Sequence, residues 1–258
     1  MTVEIETKLS YRLDAPSDLL LQIEVARISG QTVLKDALFT TPVEDFSRIP
    51  ADAALGTRAW MRAEGLLELT YTATVDVDRP DPDLATLPGA APRTLTGEAT
   101  PFVMPSRYCP SDEFQAFVAA EFEGLAGGAL IAALRDWIEE HFSYVPGSSG
   151  PDTSARDTFV QRRGVCRDYA HVLIALARAG GVPARMASVY APPVDPPDFH
   201  AVAEVWLDGA WHLVDPSGMA KPSEMAVIGV GRDAADVSFL TVFGRAELWM
   251  QTVRCMAV

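Results

Sequence analysis

The chain predicts an α+β protein in two parts: a β-sandwich-like N-terminal region, then a core in which helices pack on an antiparallel sheet. Three observations carry that expectation. The first hundred residues alternate apolar and polar side chains with the two-residue period of half-buried strands. A proline-rich stretch then breaks every regular pattern. Beyond it apolar residues recur at helical spacing before strand-like runs return.

Strand character is read over residues 3–13, 19–28, 31–39, 55–63 and 66–78; Val3-Glu4-Ile5-Glu6 and Leu67-Glu68-Leu69-Thr70 show the alternation plainly. Arg79-Pro80-Asp81-Pro82-Asp83 through Leu87-Pro88-Gly89 cannot continue a sheet and marks a connection. The expected domains are therefore residues 1–98 and 99–258. In the second, Ser111 is expected to cap a helix running to Phe122, and Gly128 to Phe142 sets Leu130, Ile131, Leu134, Trp137 and Ile138 on one face. Ser154-Ala155-Arg156-Asp157 has the form of a capping box opening a short helix. Another helix starts near Cys166 and stops at Gly180-Gly181. Asp208-Gly209 between two β-rich runs predicts an antiparallel hairpin. The strand-like runs after Met225 are expected to complete the sheet of the second domain.

At 258 residues, with 48% hydrophobic and 22% charged residues, the chain can bury one large core or two modest ones. A formal charge of −14 opposes binding to nucleic acid or to an anionic membrane surface. The sequence shows no apolar run long enough to span a bilayer, and its start lacks a basic segment followed by an apolar one. Cys109, Cys166 and Cys255 are too few and too scattered for a disulfide framework or a zinc knuckle. A cytoplasmic protein with reduced thiols is expected, with neither metal nor other cofactor.

Gly164-Val165-Cys166-Arg167-Asp168-Tyr169-Ala170 runs straight into an apolar helical stretch, so a cysteine sulfur falls in the first turn of a helix. The free N–H groups and positive dipole there stabilise a thiolate and can hold an oxyanion. His200 and Asp215 lie on the two arms of the predicted hairpin, where an imidazole and a carboxylate can meet. Cysteine as nucleophile, histidine as proton shuttle and aspartate as orienting group form a workable triad.

Each residue also has a plainer reading. A lone cysteine is usually a small buried hydrophobe, and an aspartate before proline is usually a turn residue. Asp168 is expected to serve the helix dipole rather than the chemistry. His171, about 500° around the helix from Cys166, falls on another face, and His212 points away from Asp215 by strand alternation. Trp206 and Trp211 are expected to cover the sheet. Tyr144, ahead of Pro146-Gly147, is a candidate to reach the cleft as an oxyanion donor.

Four blocks in order resemble the transglutaminase-like superfamily of cysteine enzymes, which has a papain-like core: Gly164 to Ala170, Leu176 to Arg185, His200 to Val205, and Trp211 to Pro216. The resemblance covers residues 100–220 and implies Cys166, His200 and Asp215 as nucleophile, base and orienting acid. Many members carry an aromatic residue two positions after the histidine, where this chain has Val202, which implies a differently lined cleft. The expected substrate is a peptide, protein or small amide, hydrolysed through a thioester. Protein transamidation or deamidation, and a noncatalytic scaffold that binds a protein partner, are the alternatives.

Overall fold

A computed structural model describes residues 1–51 and 55–258. Two sheets and four α-helices account for its framework. The first sheet is built on two long strands, β1 (Thr2–Leu21) and β4 (Thr57–Val77), paired antiparallel over nearly their full length. β2 (Gln31–Thr40) and β3 (Glu44–Pro50) run end to end along the free edge of β4. The alternation that predicts these strands sends Val3, Ile5, Leu9, Leu67, Leu69, Tyr71 and Val75 into one apolar cluster. The run expected over residues 19–28 leaves the sheet after Leu21, and the Ala26 N–H donates instead to Val227 O at 2.8 Å.

The proline-rich stretch forms only short 3₁₀ turns, at Leu84–Thr86, Pro92–Thr94 and Thr100–Val103. Helices α1 (Gln115–Glu121) and α2 (Gly127–His141) follow. Ser111 is not the cap expected for the first of them: it is buried in a separate 3₁₀ turn, and the α-helix starts at Gln115. β5 (Ser143–Tyr144) is a two-residue strand, after which α3 (Ala155–Gln161) is closed by the capping box of Ser154 and Asp157. β6 (Arg163–Gly164) pairs in parallel with β5 and leads into α4 (Cys166–Ala179).

Every residue of α4 from Asp168 to Arg178 is buried, so this helix is the axis of the core rather than an amphipathic surface element. On one side it meets α1, α2 and α3. On the other it lies on the second sheet, made of β7 (Ala184–Tyr190), β8 (His200–Leu207), β9 (Ala210–Val214) and β10 (Ala226–Gly231) in the antiparallel order β10-β7-β8-β9. Alternation assigns Ala184, Met186, Ala203, Val205 and Leu207 to the helix face, while Ala187, Val189, Val202 and Val227 face a second cluster behind the sheet. Leu173 and Leu176 are fully enclosed, sites where leucine is worth about 2–5 kcal/mol against alanine. Buried Arg178 pins the end of α4 by donating to Ala184 O, Met104 O, Ser106 Oγ and Arg232 O.

The last two strands correct an expectation. β11 (Leu240–Phe243) and β12 (Ala246–Ala257) do not extend the second sheet but pair antiparallel with β1, completing the first. Strand alternation fixes which face a residue occupies but not which strand lies beside it. The sheets meet where Tyr190, Ala226 and Ile228 join the cluster under β1 and β4, and the Tyr190 hydroxyl donates to Ile23 O at 2.9 Å. Among the described residues no helix is long and apolar enough to cross a membrane.

Candidate active site

Local chemistry explains why the helix starts at Cys166. Val165 is extended and offers no side-chain cap. Instead Asp168, in the third helical position, reaches back to accept the Val165 N–H at 2.8 Å and the Ser149 hydroxyl at 2.5 Å. A Cβ on Gly164 would come within 2.6 Å of the Asp168 Cβ, so this approach requires glycine. Arg167 bridges to Gly150 O at 2.9 Å and flanks the Asp168 carboxylate at 3.4 Å. Asp168 thus holds the loop before Cys166, which is left half-buried in the first turn of α4.

His200 is the first residue of β8, and Asp215 follows the last residue of β9. The turn between these strands is the expected Asp208-Gly209, both with positive φ, 49° and 74°. That hairpin carries the two side chains together: His200 Nε2 lies 2.8 Å from Asp215 Oδ2, and both groups are buried. Asp215 is further held by Ser217, whose N–H and hydroxyl donate to Oδ1 at 2.9 and 2.6 Å, and by the Ala220 N–H on Oδ2 at 3.1 Å. With Nε2 given to the carboxylate, Nδ1 is the ring nitrogen left for another partner, and His200 lines the same cleft as Cys166. Nδ1 is buried and has no hydrogen-bond partner among the described residues, while Cys166 is near enough to raise the pKa of the ring.

The electrostatics favour a charged imidazole. Burial alone pushes the His200 pKa down, but the hydrogen bond and charge of Asp215, with those of Cys166, outweigh it and raise the value to about 10. For Asp215 burial pushes upward and is overcome by His200 and Ser217, which hold the carboxyl below its ordinary range.

A cleft of about 310 Å³ opens on Cys166 and His200. Its walls include Tyr108, Met186, Val237 and the stacked pair Phe199 and Phe239, whose rings lie 4.7 Å apart. A larger cavity, about 540 Å³, lies behind Asp215 but reaches neither Cys166 nor His200, so the smaller cleft is the candidate site. The other side chains singled out from the sequence fall elsewhere. His171 is buried, stacks on Tyr108 and accepts the Ala234 N–H at 3.2 Å, and burial lowers its pKa to about 3. His212 lies 3.1 Å from Leu207 O. Trp206 and Trp211 meet edge to face, with the Arg185 guanidinium 3.9 Å over the Trp211 ring. No group of three or more histidine, cysteine or acidic side chains among the described residues is placed to hold a metal ion.

Sequence reasoning missed the cleft wall supplied by Val237 and Phe239, which carries no local signature. Ser217 was findable: Asp215-Pro216-Ser217-Gly218 is a turn in which an aspartate accepts the N–H two residues on.

A cysteine at a helix start opposite a carboxylate-paired histidine is the residue set shared by thiol-dependent hydrolases and transferases. Residues 121–216 match the transglutaminase-like superfamily. A solved structure of a cysteine protease candidate from Cytophaga hutchinsonii superposes with a TM-score of 0.94 at 33% identity, covering 99% of this chain and 90% of that one. The chain belongs to the transglutaminase-like superfamily. It is also similar to the uncharacterized protein ML0607 of Mycobacterium leprae, 34% identical over 119 residues, 43% of this chain and 42% of the relative. It is 30% identical over 200 residues to the uncharacterized protein Rv2569c of Mycobacterium tuberculosis, 66% of this chain and 62% of the relative. The chain thus spans less than two thirds of these curated relatives. A protein-glutamine gamma-glutamyltransferase of Pseudomonas aeruginosa is 30% identical over 146 residues, 49% of this chain and 22% of that protein.

Proposed function

We propose that the protein is a thiol-dependent acyl-transfer enzyme that hydrolyses peptide or amide bonds through a thioester. The observation that carries this reading is the buried 2.8 Å pair of His200 and Asp215 in the cleft that Cys166 also lines. The Cys166 sulfur attacks the acyl carbonyl while its proton resides on His200, and the carbonyl oxygen becomes an oxyanion at the start of α4. The C–N bond then breaks, His200 gives its proton to the leaving amine, and a thioester remains. Water yields a proton to His200 and attacks the thioester, and the protonated ring returns that proton to the sulfur as the acid departs. Asp215 keeps the ring oriented and stabilises its charge throughout. No metal or other cofactor enters any step. The three unpaired thiols suit a reducing compartment, and we place the protein in the cytoplasm.

Transamidation is the second reading, favoured by the likeness to the Pseudomonas gamma-glutamyltransferase. Both share the thioester and differ only in whether water or an amine takes the acyl group. The test is a peptide-amide library incubated with and without hydroxylamine, read by mass spectrometry. Free acids formed by the wild type and absent with Cys166→Ala support hydrolysis, and hydroxamates dominating at low hydroxylamine support transfer. No Cys166-dependent product from any member, with no thioester trapped, favours the noncatalytic scaffold.

A further inference from the structure

The helix-facing row of β7 runs out from beneath α4 into the floor of the cleft. Ala184 and Met186 pack in the helical core, and Ser188 continues their row by strand alternation. The register with β8 sets Ser188 opposite Ala201, the residue after His200. Ser188 is only 7% exposed, lines the cleft and makes no hydrogen bond to a described residue. A hydroxyl so enclosed and unpaired points to a group that enters the cleft and pairs with it.

One wall beside that floor is aromatic. Phe199, directly before His200, stacks on Phe239 with ring centroids 4.7 Å apart and planes 8° from parallel. Tyr190 backs Phe199 at 5.5 Å, and the Gln22 N–H donates to Phe239 O at 2.9 Å, which fixes the segment carrying the second ring. Both phenylalanines are only half-buried, so a paired apolar surface stands open next to the imidazole. Arg167, the one arginine or lysine among the lining residues, is engaged with Ser149 Oγ, Gly150 O and the Asp168 carboxylate. No described aspartate or glutamate lines the cleft. Its volume of about 310 Å³ is at the low end of small-ligand pockets, about 300–1,000 Å³, room for one residue and the carbonyl beside it.

We propose that the acyl donor presents an uncharged aromatic or bulky aliphatic side chain to the Phe199 and Phe239 wall. The inference rests on the acyl-transfer reading and names its substrate class. The acyl part stays on the sulfur through both steps while the amine leaves, so walls around Cys166 act on the acyl residue throughout. A carboxylate or a carboxamide set against the two rings sheds its water and meets at most a serine hydroxyl. An aromatic ring buries there and gains stacking contact.

The test measures kcat/KM for acylation of Cys166 by p-nitrophenyl esters of N-acetylated phenylalanine, leucine, alanine, glutamine and glutamate. p-Nitrophenyl acetate serves as the acyl group without a side chain. In each reaction the sulfur–carbon bond forms as the ester C–O bond breaks and p-nitrophenolate leaves. The phenylalanyl and leucyl esters should exceed the alanyl and glutaminyl ones by about tenfold or more, with the glutamyl ester slowest. A flat series, or a glutaminyl or glutamyl ester reacting fastest, overturns the proposal. In Phe239→Ala the ratio of the phenylalanyl to the acetyl rate should fall about tenfold. An unchanged ratio, with both rates intact or both lowered in step, also overturns it. Phe239→Leu supplies the same ratio, expected to narrow several-fold, should the alanine variant not fold. Failure of every ester to acylate wild-type Cys166, or an undiminished burst from Cys166→Ala, overturns the acyl-transfer reading itself, whereas a wild type acylated without preference overturns the substrate class alone.

Discussion

Gln251, in the last strand, donates a 2.6 Å hydrogen bond to Asp198, two residues ahead of His200. The end of the chain is thereby tied to the loop that delivers the imidazole. Asp198 also accepts the Phe199 N–H at 2.7 Å, so its carboxylate sets the turn into β8. Gln251→Ala should leave the melting temperature within a few degrees, since an exposed hydrogen bond contributes about 1 kcal/mol or less. The rate of Cys166 acylation should nonetheless fall several-fold. Unchanged acylation would show that the loop holds His200 without this tether.

Asp215→Asn keeps the shape of the side chain and removes the charge that holds His200 protonated. The folded imidazole pKa of about 10 stands above the unfolded value of about 6.5. The stability it contributes is therefore fully present below about pH 6.5 and is lost as pH rises through 10. Asp215, depressed in the folded state, contributes stability that is lost as pH falls through its folded pKa. Wild-type melting temperature should decline between neutral pH and pH 10, and the asparagine variant should melt lower at neutral pH with a flatter alkaline slope. Parallel slopes in the two proteins would mean that the pair is not linked to folding.

The three thiols should react very differently. Burial pushes Cys109 and Cys255 to about 12, so neither presents thiolate at neutral pH. Iodoacetamide at pH 7, followed by peptide mass spectrometry, should modify Cys166 alone in the folded protein, and His200→Ala should slow that modification. Equal labelling of all three sites would contradict the site described here.

Asp168→Ala removes the acceptor of the Val165 N–H and the Ser149 hydroxyl at a fully buried position. The cost should be about 2–4 kcal/mol, or several degrees of melting temperature by thermal denaturation. Acylation should fall as well, because the loop before Cys166 loses its anchor. A variant as stable as wild type would mean that solvent replaces the carboxylate without loss.

Much of the fold was legible where the signal is local. The Ser154 and Asp157 capping box, the Asp208-Gly209 turn and the apolar face of α2 are each encoded within a few residues, and each is found in place. A helix start and a hairpin point to Cys166, His200 and Asp215 as candidates, and the hairpin geometry brings the last two into contact. The partner of β12 was not legible: Val3 pairs with Ala257, a choice made by shape and burial across the whole chain. The same holds for Phe239, whose place in the cleft depends on where β11 docks.

Cys166 and His200 are mounted unequally. Cys166 stands on a helix whose body is sealed inside the core from Asp168 to Arg178, while His200 arrives at the end of a loop, residues 191–199, that carries four prolines and is largely exposed toward its end. The sulfur is the fixed jaw of this site and the imidazole the adjustable one. Substitutions at the exposed residues of that loop, 195–198, can retune the gap between them without disturbing the packing on which the fold depends.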